Sequence, residues 1–194
     1  MSSSPLLVGI FVGGRARRLG GIAKGLLPVP SGGTVVDRLL SITREALPGA
    51  AVALVGDASR YESLGLPAIA DAPAGIGPLG GLRGLLLRAR ELGLDHALAL
   101  ACDLPLISSS LVARLSEFAP PALALAPREP GGPWYALSAR YAVAAMPVLD
   151  AMLAQGERAL QRLYARLGNG AAELPLEQGE LALLADWDRP EDLP

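Results

Sequence analysis

With 194 residues, 51% of them hydrophobic, the chain can bury a core of its own without disulfides or metals to hold it. A net charge of −2 argues against general affinity for nucleic acid, and the single cysteine, Cys102, excludes an internal disulfide and fits a reducing cytoplasm. No apolar stretch reaches the roughly 18 residues that a membrane helix needs. The early apolar segment PLLVGIFV has no basic residue before it and arginines after it, unlike a secretion signal. One cytoplasmic domain over residues 1–194, with no membrane and no nucleic acid among its partners, is therefore expected.

Short apolar runs alternate with longer helix-period stretches, the pattern of strands joined by crossover helices. The spacing predicts a first buried strand over Leu6 to Val12, then a helix capped by Thr34 and ended by Pro48 and Gly49. AAVALV reads as a second strand and LPAIAD as a third. PLGGLRGLLLRARELG is a helix opened by Pro78 and closed by Gly93, and DHALALACDLP is a fourth strand running into Asp103. Ser109 or Ser110 is expected to cap a helix through Phe118, and PALALAP to form a fifth strand. A strand is expected over Pro133 to Tyr141, a helix from Pro147 stopped by Gly156, a further helix from Glu157 to Leu167, and a last strand in LALLADW. The sum is a three-layer α/β domain with a mostly parallel sheet. In such sheets ligands sit beyond the carboxyl ends of the strands, where the loop after strand one and Asp103 after strand four both arrive.

That loop, in GIFVGGRARRLGGIAKGLLPVP, is built to receive an anion. Glycines at 13, 14, 20 and 21 allow close backbone approach, while Arg15, Arg17, Arg18 and Lys24 bring positive charge. Arginine forks a phosphate with two hydrogen bonds, and lysine acts as a mobile point charge. The plainer alternative is a basic turn facing water. Neither familiar phosphate loop fits: the dinucleotide fingerprint needs GxGxxG, and a Walker loop needs Ser or Thr after its lysine, where Gly25 stands.

On these residues the sequence resembles the molybdenum cofactor guanylyltransferases, the molybdopterin-guanine dinucleotide biosynthesis protein A type, within the nucleotidyltransferase class. FVGGRARRLGGIAKGLL is similar to their Leu-Ala-Gly-Gly, Arg-Met-Gly-Gly, Asp-Lys-Gly-Leu signature. DAPAGIGPLGGL, ACDLPLIS, LAQGERALQRLYARLG and ADWDRPEDL follow in the family's order across nearly the whole chain. The resemblance implies a three-layer α/β/α Rossmann-like nucleotidyltransferase domain. It also implies attack by a phosphate oxygen of molybdopterin on the α-phosphorus of GTP, with magnesium as cofactor. Phe11, Val12, Gly13, Gly14, Asp57, Asp71 and Gly81 would contact the nucleotide, with Gly77, Pro78 and Leu79 closing over the base. Lys24 and Arg18 would neutralise the triphosphate, and Asp103 would hold the metal. Molybdenum-cofactor biosynthesis proteins and target molybdoenzymes are the implied protein partners.

Other residues carry less. Cys102 has no base beside it and reads as a buried strand residue, His96 is a lone histidine, and Arg158 is either a contact for the second substrate's phosphate or an exposed helix residue. Trp134 and Trp187 could stack on a pterin, although packing is the commoner role. The pattern departs from the family where Ala23 replaces the aspartate before the lysine, Asp57 stands in place of an asparagine, and GPW replaces a His-Pro step. Asp186, Asp188 and Arg189 replace the Asn, Asn and Thr of the closing motif. Ionised aspartate only accepts hydrogen bonds and repels anions unless a cation intervenes, so Asp188 is a candidate to share the metal with Asp103. Cytidylyl transfer, another nucleotidyl transfer to a phosphorylated acceptor, and non-catalytic nucleotide binding as an adaptor stay open beside guanylyl transfer.

Overall fold

The computed structural model describes residues 6–13, 23–30, 32–118, 121–187 and 192. Its frame is a seven-stranded sheet in the order β3-β2-β1-β4-β6-β5-β7. β1 (Leu7–Phe11) is buried at every position, as its unbroken apolar run requires for a strand covered on both faces. It pairs in parallel with β2 (Ala51–Val55) on one side and β4 (His96–Ala101) on the other, and β3 (Ala68–Ile69) extends the parallel half beyond β2. The chain leaves β1 toward β2 and later returns to its other side as β4, so the switch point of the sheet lies at β1 and β4.

α1 (Val35–Ala46) is opened by a capping box in which Thr34 and Asp37 satisfy each other's amides. It packs with α3 (Ser109–Glu117) on one face, over Val8, Ile10, Leu54, Leu98 and Leu100. α2 (Pro78–Glu91), α4 (Met146–Ala154) and α5 (Leu160–Leu167) cover the other face, against Leu7, Phe11, Val55, Ala97 and Ala99. Alternate residues of one strand thus enter different cores, the period-two rule of a pleated strand. Among the described residues no helix is long and apolar enough to cross a membrane.

The second half corrects several expectations. β5 (Ala124–Ala126) and β6 (Ser138–Ala142) are present, but β6 runs antiparallel to both β4 and β5. The strand expected from Pro133 starts only at Ser138. Trp134 bridges Arg128 instead, and a tight turn closes from Ser138 N–H to the Tyr135 carbonyl at 2.8 Å. Ser108, not Ser109 or Ser110, caps α3, accepting from the Leu111 amide at 3.2 Å. The helix expected from Glu157 begins at Leu160.

LALLADW is not a strand. Its first three residues belong to α6 (Glu180–Leu183), set up by Gly179 in a left-handed conformation, with Leu184 buried and Leu181 exposed. Glu180 is itself buried, paired with Arg114 and accepting the Glu177 amide at 2.7 Å. The last strand is instead β7 (Ala171–Glu173), parallel to β5. Its sequence, AAE, has no branched or aromatic residue to announce a strand.

Candidate functional site

Backbone pairing continues past the strand ends and assembles the floor of a cleft. Val12 donates to the Val55 carbonyl at 3.0 Å, Gly56 to Ile69 at 2.9 Å, and Cys102 to Phe11 at 3.3 Å. Gly13 and Gly56 then lie backbone against backbone. A Cβ on Gly56 would stand 2.9 Å from the Gly13 Cα, and the Gly56 φ of +96° is itself one that other residues resist. Above this floor is a cleft of about 760 Å³, lined on the parallel side by Phe11, Val12, Gly13, Gly56, Asp71, Gly77 and Pro78. Tyr135, Leu137, Ser138, Leu184, Ala185 and Asp186 line the side belonging to the second half of the chain.

Lys24 and Asp103 meet between these walls, with Nζ 2.8 Å from Oδ2 and both side chains mostly buried. Lys24 opens a 3-10 turn over Lys24–Leu26, and the next residue fixes its seat. Gly25 is buried so tightly that a Cβ there would stand 2.9 Å from the Tyr61 hydroxyl and 3.3 Å from the Cys102 Cβ. On the opposite side Asp103 follows β4 by two residues, its carbonyl accepting from the Trp187 amide at 3.0 Å. The loop after it is tied to α1 by Arg38, which donates to the carbonyls of Pro105 at 2.6 Å and Ile107 at 3.1 Å. Nothing in the sequence around Arg38 signals this anchor; it follows from the packing of α1 beside α3.

The other candidates separate into those the structure brings to the cleft and those it does not. Phe11, Val12, Gly13, Asp71, Lys24 and Asp103 all line it. Asp71 is half-buried, and desolvation raises its carboxyl above the usual range. Asp57 is exposed and turned to its own chain: Ser59 donates its amide at 3.1 Å, and the hydroxyl and amide of Ser59 hold the carboxyl below the usual range. Gly81 is buried inside α2, where a Cβ would stand 2.9 Å from the Phe11 ring and 3.2 Å from an Asp71 oxygen, so it supports two lining residues from behind. Gly14, Arg18 and Asp188 lie outside the described residues, as do Arg15, Arg17, Gly20, Gly21 and Arg189.

Cys102 lines the cleft, yet burial, aided by the Asp103 charge, pushes its thiol up to about 12, which leaves it protonated and a poor nucleophile. Trp134 is stacked on Tyr164, with ring centroids 4.5 Å apart, and Trp187 packs against the core on the α1 face. Arg158 is exposed. Tyr135, Leu137 and Ser138 escaped sequence reasoning as site residues because they come from a turn inside what reads as a continuous strand.

Among the described residues no three His, Cys, Asp or Glu side chains converge as a metal cluster. The donor set at Asp103 still fits a hard divalent ion of the kind that takes one or two carboxylates and completes its shell with water and substrate phosphates. Asp186, on the same cleft, adds a second carboxylate to that wall.

A lysine and a carboxylate face each other over a glycine-lined floor at the switch point of a mostly parallel sheet, the place where open α/β sheets bind their ligands. Residues 8–171 match the family described as the MobA-like NTP transferase domain, and the chain belongs to this family of nucleotidyltransferases. It is 33% identical over 186 residues to a molybdenum cofactor guanylyltransferase of Rhodobacter capsulatus, spanning 95% of this chain and 90% of that one. A second protein of that name, from Cereibacter sphaeroides, is 34% identical over 187 residues, 95% of this chain and 91% of the relative. In fold the chain is similar to molybdopterin-guanine dinucleotide biosynthesis protein A of Archaeoglobus fulgidus, with a TM-score of 0.74 at 23% identity over 96% of this chain and 94% of that one.

Proposed function

We propose that this chain is a molybdenum cofactor guanylyltransferase, which transfers GMP from GTP to the phosphate of molybdopterin or its molybdenum form and releases pyrophosphate. The observation that carries the chemistry is the Lys24–Asp103 pair at the centre of the cleft, in a chain of this family. An acceptor phosphate oxygen attacks the α-phosphorus, a new P–O bond forms, and the bond to the bridging oxygen of the β-phosphate breaks with its electrons leaving on pyrophosphate. Such a displacement asks the protein chiefly for alignment and for neutralisation of charge. Lys24 exchanges its contact with Asp103 for the phosphates and stabilises the charge that gathers on the leaving group, with Arg18 assisting from the loop. The cleft-lining segment Phe11 to Gly13 supports the nucleotide, continued by Gly14.

Asp71 reads the base. A desolvated carboxylate accepts from the N1–H and 2-amino groups of guanine, which adenine lacks. Magnesium held by Asp103, with Asp188 as a second ligand, would supply a fixed positive charge at the phosphates. Pyrophosphate release measured with GTP, CTP and ATP, each with molybdopterin and magnesium, tests the whole reading. Turnover with GTP above the other two is expected, faster turnover with CTP would reassign the base, and tight GTP binding with no release from any of the three would make the chain an adaptor. Magnesium titration of Asp188→Asn tests the second ligand: a higher magnesium requirement is expected, and an unchanged one would leave Asp103 alone at the metal.

A further inference from the structure

The segment LAQGERALQRLYARLG supplies no group to the cleft, yet α5, which it forms, is clamped to the wall of the cleft from behind. The Gln161 side chain closes on the backbone of Trp134 at two points: its oxygen accepts the Trp134 amide at 3.0 Å, and its Nε2 donates to the Trp134 carbonyl at 2.7 Å. One turn further along the same helix face, Tyr164 stacks on the Trp134 ring at 4.5 Å with an interplanar angle of 11°. The Tyr164 hydroxyl lies 2.8 Å from that of Tyr141, which donates to the Ala136 carbonyl at 2.7 Å. Arg128 covers the Trp134 ring from 5.1 Å. Residues 134 to 136 are thus gripped at both ends, and the residues that alternate with or follow them, Tyr135, Leu137 and Ser138, face the cleft.

We infer that Gln161 and Tyr164 are positioning residues for the acceptor side of the cleft: they hold the Trp134 turn so that Tyr135, Leu137 and Ser138 present a fixed wall to the second substrate. The argument rests on the nucleotidyl-transfer reading for what that substrate is. The parallel wall, from Phe11 to Pro78, is built by other elements, so loosening the clamp must act on the acceptor and not on GTP. Gln161 is exposed, and Gln161→Met keeps its length while removing both hydrogen bonds, so the variant is expected to fold.

Three measurements on the full chain decide it. Amide hydrogen exchange at Trp134 should accelerate in Q161M, since its partner is gone. The dissociation constant for molybdopterin should rise about three- to tenfold, in line with two ordinary hydrogen bonds, while that for GTP stays within error. Arg166→Met is the control: from the same helix as Gln161 it breaks contacts to Gln155 and Glu157, which lie between α4 and α5 and away from the Trp134 turn, and it should change neither constant. Unchanged exchange at Trp134, an equal loss of GTP and molybdopterin affinity, no molybdopterin binding to the wild type, or the same acceptor defect in R166M would each overturn the inference. Failure of guanylyl transfer itself reads out separately, as absent pyrophosphate release from a wild type that binds both ligands.

Discussion

The two halves of the sheet raise the two walls of the cleft by different means. From β3 to β4 all strands run the same way, so the residues just past their ends, Gly13, Gly56, Asp71, Cys102 and Asp103, arrive at one edge together. Their place is a consequence of strand length alone. In the other half β6 runs against its neighbours, so it is the entry to the strand, at Leu137 and Ser138, that reaches the cleft. The turn before it has only an isolated bridge to Arg128 and single backbone bonds, such as Tyr135 N–H to the Pro127 carbonyl at 3.0 Å, and side chains from a helix more than twenty residues later reinforce it. The parallel edge here positions its residues through the backbone, whereas the antiparallel insertion adds a second layer of side-chain contacts to its backbone bonds.

The sharpest break falls where the walls meet. Lys24→Ala should lower guanylyl transfer by about 2–4 kcal/mol of transition-state stabilisation, the scale of one well-placed donor in an enclosed site. Asp103→Asn should abolish measurable turnover, with thermal unfolding of both variants lowered far less than activity, because the pair lies on the cleft and each variant loses their ion pair there. Pyrophosphate release at saturating GTP checks both. Wild-type rates in either variant would remove the pair from the chemistry.

A break confined to the antiparallel half comes next. Tyr141 is wholly buried, and its hydroxyl is bonded to Ala136 and Tyr164. Tyr141→Phe should destabilise folding by about 1–3 kcal/mol, since two buried groups lose a partner, while GTP affinity is retained. Urea unfolding and GTP titration measure the two sides. In the parallel half, Gly81→Ala should do the reverse of a clean separation: a Cβ 2.9 Å from Phe11 and 3.0 Å from Val55 overpacks the joint between α2 and the sheet by about 1–3 kcal/mol. It also displaces Phe11 and Asp71, so GTP affinity falls with stability. Loss of GTP affinity at full stability would instead mark Gly81 as a direct contact to the nucleotide.

The smallest effect lies at the seam between the halves. His96 opens β4 opposite Ala142 of β6, and burial, with Arg140 nearby, holds its imidazole below the ordinary 6.5. The unfolded chain takes up the proton more readily than the folded one. The stability linked to the neutral ring is therefore complete above pH 6.5 and is lost as pH falls from there toward the folded value. His96→Gln should flatten the unfolding midpoint in that window and leave it unaltered above, as a pH series of thermal melts would show.

The parallel half was legible in the sequence because each element there announces itself locally: unbroken apolar runs for β1, β2 and β4, Thr34 and Pro78 at helix starts, glycines at the turns. That Lys24, Asp71 and Asp103 lie at the cleft was legible for the same reason, each following a recognisable strand or glycine loop. Asp57 was not placed by that logic, since Ser59, two residues on, satisfies its carboxylate. Tyr135 was hidden because alternation of apolar and polar residues looks the same in a strand and in the turn that precedes one. Residues 181 to 187 misled because four apolar residues suit a short buried strand or a helical turn equally well, and Gly179 together with the buried Glu180–Arg114 pair selects the turn.

What the sequence determined by itself is which segments are buried on both faces, where they stop, and which charged residues stand at those stops. Periodicity and turn chemistry act over a few residues and need no partner to be read. Only the tertiary structure decided that β6 turns against its neighbours, that Lys24 meets Asp103 from 79 positions away, and that Gln161 holds Trp134. Those contacts depend on which of many competing long-range arrangements buries the most apolar surface with every backbone group paired, a balance struck over the whole chain and recorded in no single stretch of it.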